Sequence, residues 1–140
     1  MAADRRAYSG DKLPVGEKTK IERLSDGSLL GASTGTPGYA EHFRRLVEER
    51  GVTGVYPADM KVQALLVRPN GEVFYFKDGE AFSGPLEGPF FAIGSGAEYA
   101  TGALMAGVSA TRAVKIACEC DVWSGGGVDG LAIQEADIDG

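Results

Sequence analysis

The chain has 140 residues, enough for one domain with its own core, and 44% of them are apolar, which excludes wholesale disorder. The formal charge is −6 and the basic residues are scattered, with short pairs only at Arg5-Arg6 and Arg44-Arg45. A phosphate backbone needs a basic face, so no nucleic-acid partner is expected. No apolar run reaches membrane-spanning length, and Met1-Ala2-Ala3-Asp4-Arg5-Arg6 lacks the apolar core of a signal peptide. No membrane partner is expected, and the default location is cytoplasmic.

Ala2-Ala3-Asp4 reads as a short strand running into a polar turn. Residues 9–18 read as loop, punctuated by Gly10, Pro14 and Gly16. Residues 19–24 alternate polar and apolar and suit a short strand, with Asp26-Gly27 as a hairpin turn and 28–33 as the partner strand. A helix is predicted from Thr36 to Gly51, with Thr36 as N-cap and Pro37 in the first helical position. Phe43, Leu46 and Val47 share one face of it.

Residues 62–68 form a nearly all-apolar strand, Asn70-Gly71 is a second hairpin turn, and 72–76 returns rich in β-formers. Residues 85–89 read as loop and 90–93 as a short buried strand. Ser95 with Glu98 three residues on is a capping box opening a helix, with Tyr99, Ala103 and Ala106 on its packing face. Gly107 closes that helix and Ser109 caps the next, through Ala113, Val114, Ile116 and Ala117. Hairpins on one side and two consecutive helices on the other predict an α+β domain spanning 1–140, with helices packed on antiparallel sheet.

The segment Asp121-Val122-Trp123-Ser124-Gly125-Gly126-Gly127-Val128-Asp129 carries the chemistry. It sets a carboxylate three residues before a hydroxyl, then three glycines. Asp121 and Ser124 can brace a glycine loop, and the glycines can cradle an anion, although no Walker-type lysine follows. Asp121 and Asp129 could hold a hard cation. Cys118 and Cys120 cannot make a disulfide framework, and the one histidine, His42, is remote from them and falls on the predicted first helix. No metal and no cofactor are expected.

Taken together these motifs resemble the proteasome β-type subunits and the related bacterial ring protease, which are N-terminal nucleophile hydrolases. Asp-x-x-Ser-Gly-x-Gly at Asp121, Ser124, Gly125 and Gly127 is similar to that family's helper loop. Ser95 in Gly-Ser-Gly resembles its serine near the nucleophile's amine. Asp4 in Ala-Ala-Asp-Arg-Arg and Lys20 in Lys-Thr-Lys-Ile resemble its early aspartate and active-site lysine, and their 16-residue separation is the family's own spacing. Gly31-Ala32-Ser33-Thr34-Gly35 falls at its oxyanion loop, with Ala32 where glycine is usual.

The resemblance implies an αββα four-layer sandwich with its first strand missing. It implies a threonine-type peptidase, a hydrolase in which the N-terminal residue attacks and its own amine is the base. Lys20 would tune that amine, Asp4 would orient Lys20, Ser95, Asp121 and Ser124 would hold the amine, and the Ala32 N–H would meet the oxyanion. It also implies self-association into a ring, polypeptide substrates and a regulatory ATPase partner. The chain begins Met1-Ala2-Ala3-Asp4, whereas the nucleophile would precede Asp4 by a strand and a turn. Two readings follow. Met1 is an internal methionine of a longer working protein, or the chain is a non-catalytic structural or assembly subunit on the same fold. Either way the 140 residues alone are expected to be inactive, and the missing strand predicts an unpaired edge beside Ala2-Ala3.

Overall fold

The computed structural model describes residues 1–8 and 14–134. In chain order its elements are β1 (Ala2–Asp4), β2 (Arg6–Tyr8), β3 (Pro14–Glu17), β4 (Ile21–Arg23), β5 (Leu29–Ser33), α1 (Tyr39–Arg50), β6 (Gln63–Val67), β7 (Val73–Lys77), β8 (Ser83–Leu86), α2 (Ala97–Met105), α3 (Ala110–Cys120) and β9 (Val128–Gly130). β4 to β8 form one antiparallel sheet in sequence order, while β1 pairs with β9 and β2 with β3.

Two turns set the register of the large sheet. At the first, Gly27 takes a φ of 89° and the Ser28 N–H donates to Asp26 Oδ1. At the second, Gly71 takes a φ of 90° and the Glu72 N–H donates to Asn70 Oδ1. Both glycines occupy the left-handed region, where a side chain is disfavoured.

Period-2 alternation then sorts the strands. One face presents Leu30, Ala64, Leu66, Phe74 and Phe76 to Phe43, Leu46 and Val47 of α1. Phe43 is fully buried, with the rings of Tyr56, Phe76 and Phe82 centred 5.5, 4.7 and 5.9 Å away. The opposite face, including Gly31, Leu65, Val67 and Val73, looks into a cleft. Across that cleft α2 and α3 pack on one another through Ala100, Ala113 and Ala117, and α3 also touches β1 and β9. No helix among the described residues is long and apolar enough to cross a membrane.

Several elements of the structure depart from the sequence expectations. β3 forms where a loop was expected, because its backbone pairs with β2 despite Pro14 and Gly16. β8 includes Pro85, which is tolerated because β8 is the outermost strand and Pro has no N–H to leave unpaired. Residues 90–93 form no strand: they line the cleft, and no described strand pairs with them. Helix α1 starts at Tyr39, since Gly38 sits at φ 84° and the preceding residues make a turn, with the Tyr39 N–H donating to the Thr36 carbonyl. In α2 the packed side is Ala100, Ala103 and Leu104, and Tyr99 is exposed.

Candidate functional site

Asp121 stands just past the end of α3. Its N–H still donates to the Ala117 carbonyl at 2.7 Å, but its own φ and ψ are extended, so the chain turns out of the helix there. Ser124 returns within one turn, and its hydroxyl donates to Asp121 Oδ2 at 2.6 Å. Ser95 arrives from the turn before α2 and donates to the same Oδ2, also at 2.6 Å. Burial pushes the Asp121 carboxyl up, but the hydrogen bonds from Ser124, Ser95 and the Trp123 backbone together outweigh it, leaving the pKa below the ordinary value.

Ser95 is therefore not the helix cap that its capping box predicts. The N-cap is Gly96, and no side chain caps α2. Helix α2 begins at Ala97, so the cap position falls to Gly96, and the Ser95 hydroxyl donates instead to a carboxylate, a strong acceptor. The turn is fastened to the large sheet by Gln63, whose Oε1 accepts the Gly94 N–H at 3.2 Å while its Nε2 donates to the Tyr75 hydroxyl at 3.0 Å. Gly96 permits the close approach. A Cβ there would lie 3.1 Å from Ala117 Cβ and 3.2 Å from Ser124 Oγ.

A second group adjoins the first. Lys20 Nζ donates to Asp4 Oδ1 at 2.7 Å, with side chains 23% and 14% exposed. The other oxygen of Asp4 accepts the Gly125 N–H at 3.0 Å. Ser124 and Gly125 are neighbours in the chain, so the two carboxylates are tied to one loop. That loop is held in turn by the N–H groups of Arg5 and Arg6, which both donate to the Gly125 carbonyl. Gly126 and Gly127 have φ of 78° and 96°, which explains the run of glycines.

The structure thus brings Asp4, Lys20, Ser95, Asp121 and Ser124 together at one end of the cleft. Ala32 lines the same cleft, but its N–H donates to the Lys20 carbonyl over a long 3.4 Å. Asp129 pairs with Arg5 at 2.6 Å, and no cluster able to hold a metal occurs among the described residues. Burial, with the carboxylates of Asp4 and Asp121, pushes the half-buried Cys118 thiol up against the opposing pull of Arg6 and Lys20. Cys120 is exposed, as is His42 on α1. Sequence reasoning did not single out Gln63, Gly96 or the Gly125 N–H. Only the glycine run offered a signal for the last of these.

No protein-family model matches the sequence, and no curated protein does. Among solved structures, the crystal structure of eukaryotic HslV from Trypanosoma brucei superimposes with a TM-score of 0.65. The alignment covers 91% of this chain and 88% of that chain at 17% identity.

The chain has the HslV fold.

HslV is a proteasome-like N-terminal nucleophile hydrolase, so the α+β fold implied by the sequence resemblance is the one observed. At this identity HslV supplies a fold and not an activity.

Proposed function

We propose that the chain, as one domain over 1–140, is a proteasome-like peptidase subunit whose cleft supports a threonine-type N-terminal nucleophile. The observation carrying this reading is the convergence of Ser95 and Ser124 on Asp121 beside the Lys20–Asp4 pair. A hydroxyl is a weak nucleophile until a base takes its proton. Here the base is a free α-amine. The two serines accept from that amine, and the Lys20 ammonium lowers its pKa by like-charge repulsion. The hydroxyl oxygen attacks the peptide carbonyl carbon while its proton passes to the amine. The tetrahedral oxyanion is met by the Ala32 N–H, released from its long bond to Lys20. The C–N bond then breaks, the leaving amine takes the proton, and water hydrolyses the ester.

In this reading the subunit assembles with copies of itself into a ring in the cytoplasm, cuts polypeptides there and works with a regulatory ATPase. The HslV fold supports the reading. A second reading, a non-catalytic structural subunit, is favoured by the Ala32 N–H, already engaged with Lys20. The test is to isolate the protein from its natural source, read its N-terminal residue by intact mass, and assay fluorogenic peptides. The peptidase reading expects Thr, Ser or Cys at the N-terminus and turnover reduced about a hundredfold or more in Lys20→Ala. No turnover from a protein carrying the full cluster would establish the structural reading instead.

A further inference from the structure

The α1 face of the large sheet carries a second pocket, of about 280 Å³, where the β4–β5 turn meets the C-terminal end of α1. It shares no lining residue with the cleft of the Asp121 cluster. Leu24, Val47, Val52 and Leu66 supply its apolar wall.

Ser28 lines this pocket and is 1% exposed. Its N–H donates to Asp26 Oδ1 at 2.8 Å, but its hydroxyl has no hydrogen-bond partner among the described residues. Buried hydroxyls are nearly always bonded, so this one calls for a partner inside the pocket.

The sheet register sets a cation beside it. Leu29 pairs with Val67, and one residue further on Ser28 stands opposite Arg68. Period-2 alternation keeps both on the face of Leu30 and Leu66, toward α1. The Arg68 guanidinium makes no ion pair and no hydrogen bond among the described residues. A guanidinium with a hydroxyl alongside matches a carboxylate.

The remaining charged lining is acidic. Glu48, in the last turn of α1, accepts the Ser25 N–H at 3.0 Å and the Ser25 hydroxyl at 2.6 Å. Asp26 is held by its bond from Ser28. Both carboxylates keep lone pairs to spare, and the C-terminal carbonyls of α1 add partial negative charge. Arg68 tells against a metal ion here, and the carboxylates tell against a phosphate. A pocket that keeps a cation and two carboxylates unpaired with each other, over an apolar wall, suits a ligand carrying both charges itself.

We propose that this pocket binds a free apolar α-amino acid as its zwitterion. The carboxylate meets Arg68 and the Ser28 hydroxyl, the ammonium meets Asp26 and Glu48, and the side chain lies on Leu24, Val47, Val52 and Leu66. The space is smaller than the pockets that hold drug-sized ligands and suits a single amino acid. The site lies across the sheet from the Asp121 cluster and does not depend on the peptidase reading.

The test is calorimetry on the 140-residue chain with L-leucine, leucinamide and N-acetyl-leucine. Leucine should bind with a Kd of about 1 mM or tighter. Leucinamide lacks the carboxylate and N-acetyl-leucine the ammonium, and each should bind about tenfold or more weakly. Ser28→Ala and Arg68→Gln should each weaken leucine by about tenfold and narrow its advantage over leucinamide. Asp26→Asn keeps an acceptor for the Ser28 N–H and should narrow the advantage over N-acetyl-leucine instead. Urea midpoints identify which variants fold, and Glu48→Gln replaces Asp26→Asn if that one does not. No saturable leucine binding up to about 10 mM overturns the proposal, and water alone then meets Ser28. Equal binding of the three ligands overturns it too, as does leucine affinity unchanged in both Ser28→Ala and Arg68→Gln. Fluorogenic hydrolysis, measured separately, tests the peptidase reading alone.

Discussion

Ser95 and Asp121 are 26 residues apart in sequence, yet the hydroxyl of one lies 2.6 Å from the carboxylate of the other. That bond joins the start of α2 to the end of α3 and closes one end of the cleft. The Ser124 hydroxyl on the same oxygen makes Asp121 the hinge of the site.

Acid should weaken the site through Asp121. The folded pKa of Asp121 is depressed, so its contribution to stability is full above the unfolded carboxylate value and is lost as pH falls through the folded one. Asp121→Asn should destabilise the protein by about 1–3 kcal/mol at neutral pH, because an amide cannot accept as well from two hydroxyls. Urea midpoints of the two proteins should converge as the pH drops below the ordinary carboxylate range. A gap that persists well below that range would show that Asp121 acts through shape and not charge.

Two glycines near α2 should respond oppositely to alanine. At Gly96 a Cβ would crowd Ala117 and Ser124, so Gly96→Ala should destabilise by about 1–3 kcal/mol and loosen the Ser124 bond. At Gly102, inside α2, a Cβ meets nothing within 4 Å, so Gly102→Ala should stabilise by about 0.5–1 kcal/mol. Chemical denaturation of both variants checks the pair of signs.

The two lysine ion pairs should differ in strength. Lys20–Asp4 is mostly shielded, whereas the side chains of Lys18 and Glu41 are 37% and 51% exposed at a similar 2.8 Å. A double-mutant cycle with Lys20→Met and Asp4→Asn should give a coupling of about 1.5–3 kcal/mol. The cycle at Lys18 and Glu41 should give under about 1 kcal/mol and fade with salt. Equal couplings would mean that water reaches Lys20 freely.

Phe43→Ala should be the most damaging of these changes, at about 3–5 kcal/mol. Its ring is fully buried against Tyr56, Phe76 and Phe82. Thermal unfolding should show the loss as a lowered midpoint.

The sequence by itself determined what local chemistry dictates. Asp26-Gly27 and Asn70-Gly71 fixed two hairpins, because only a few residue types accept a left-handed turn. Phe43, Leu46 and Val47 fixed the buried face of α1 through helical spacing. The site residues were legible as a pattern, through their spacing and their glycines. Tertiary structure alone decided their use. That the Ser95 hydroxyl donates to a carboxylate depended on Asp121 arriving from 26 residues away. Whether Pro85 breaks a strand depended on β8 being an edge. The cleft, with apolar walls and with Asp4, Lys20, Ser95 and Ser124 among its lining residues, exists only once the large sheet faces α2 and α3. Turns and amphipathic faces are set within a few residues, whereas a hydroxyl's partner and a strand's place at a sheet edge are settled by groups that only the folded chain brings together.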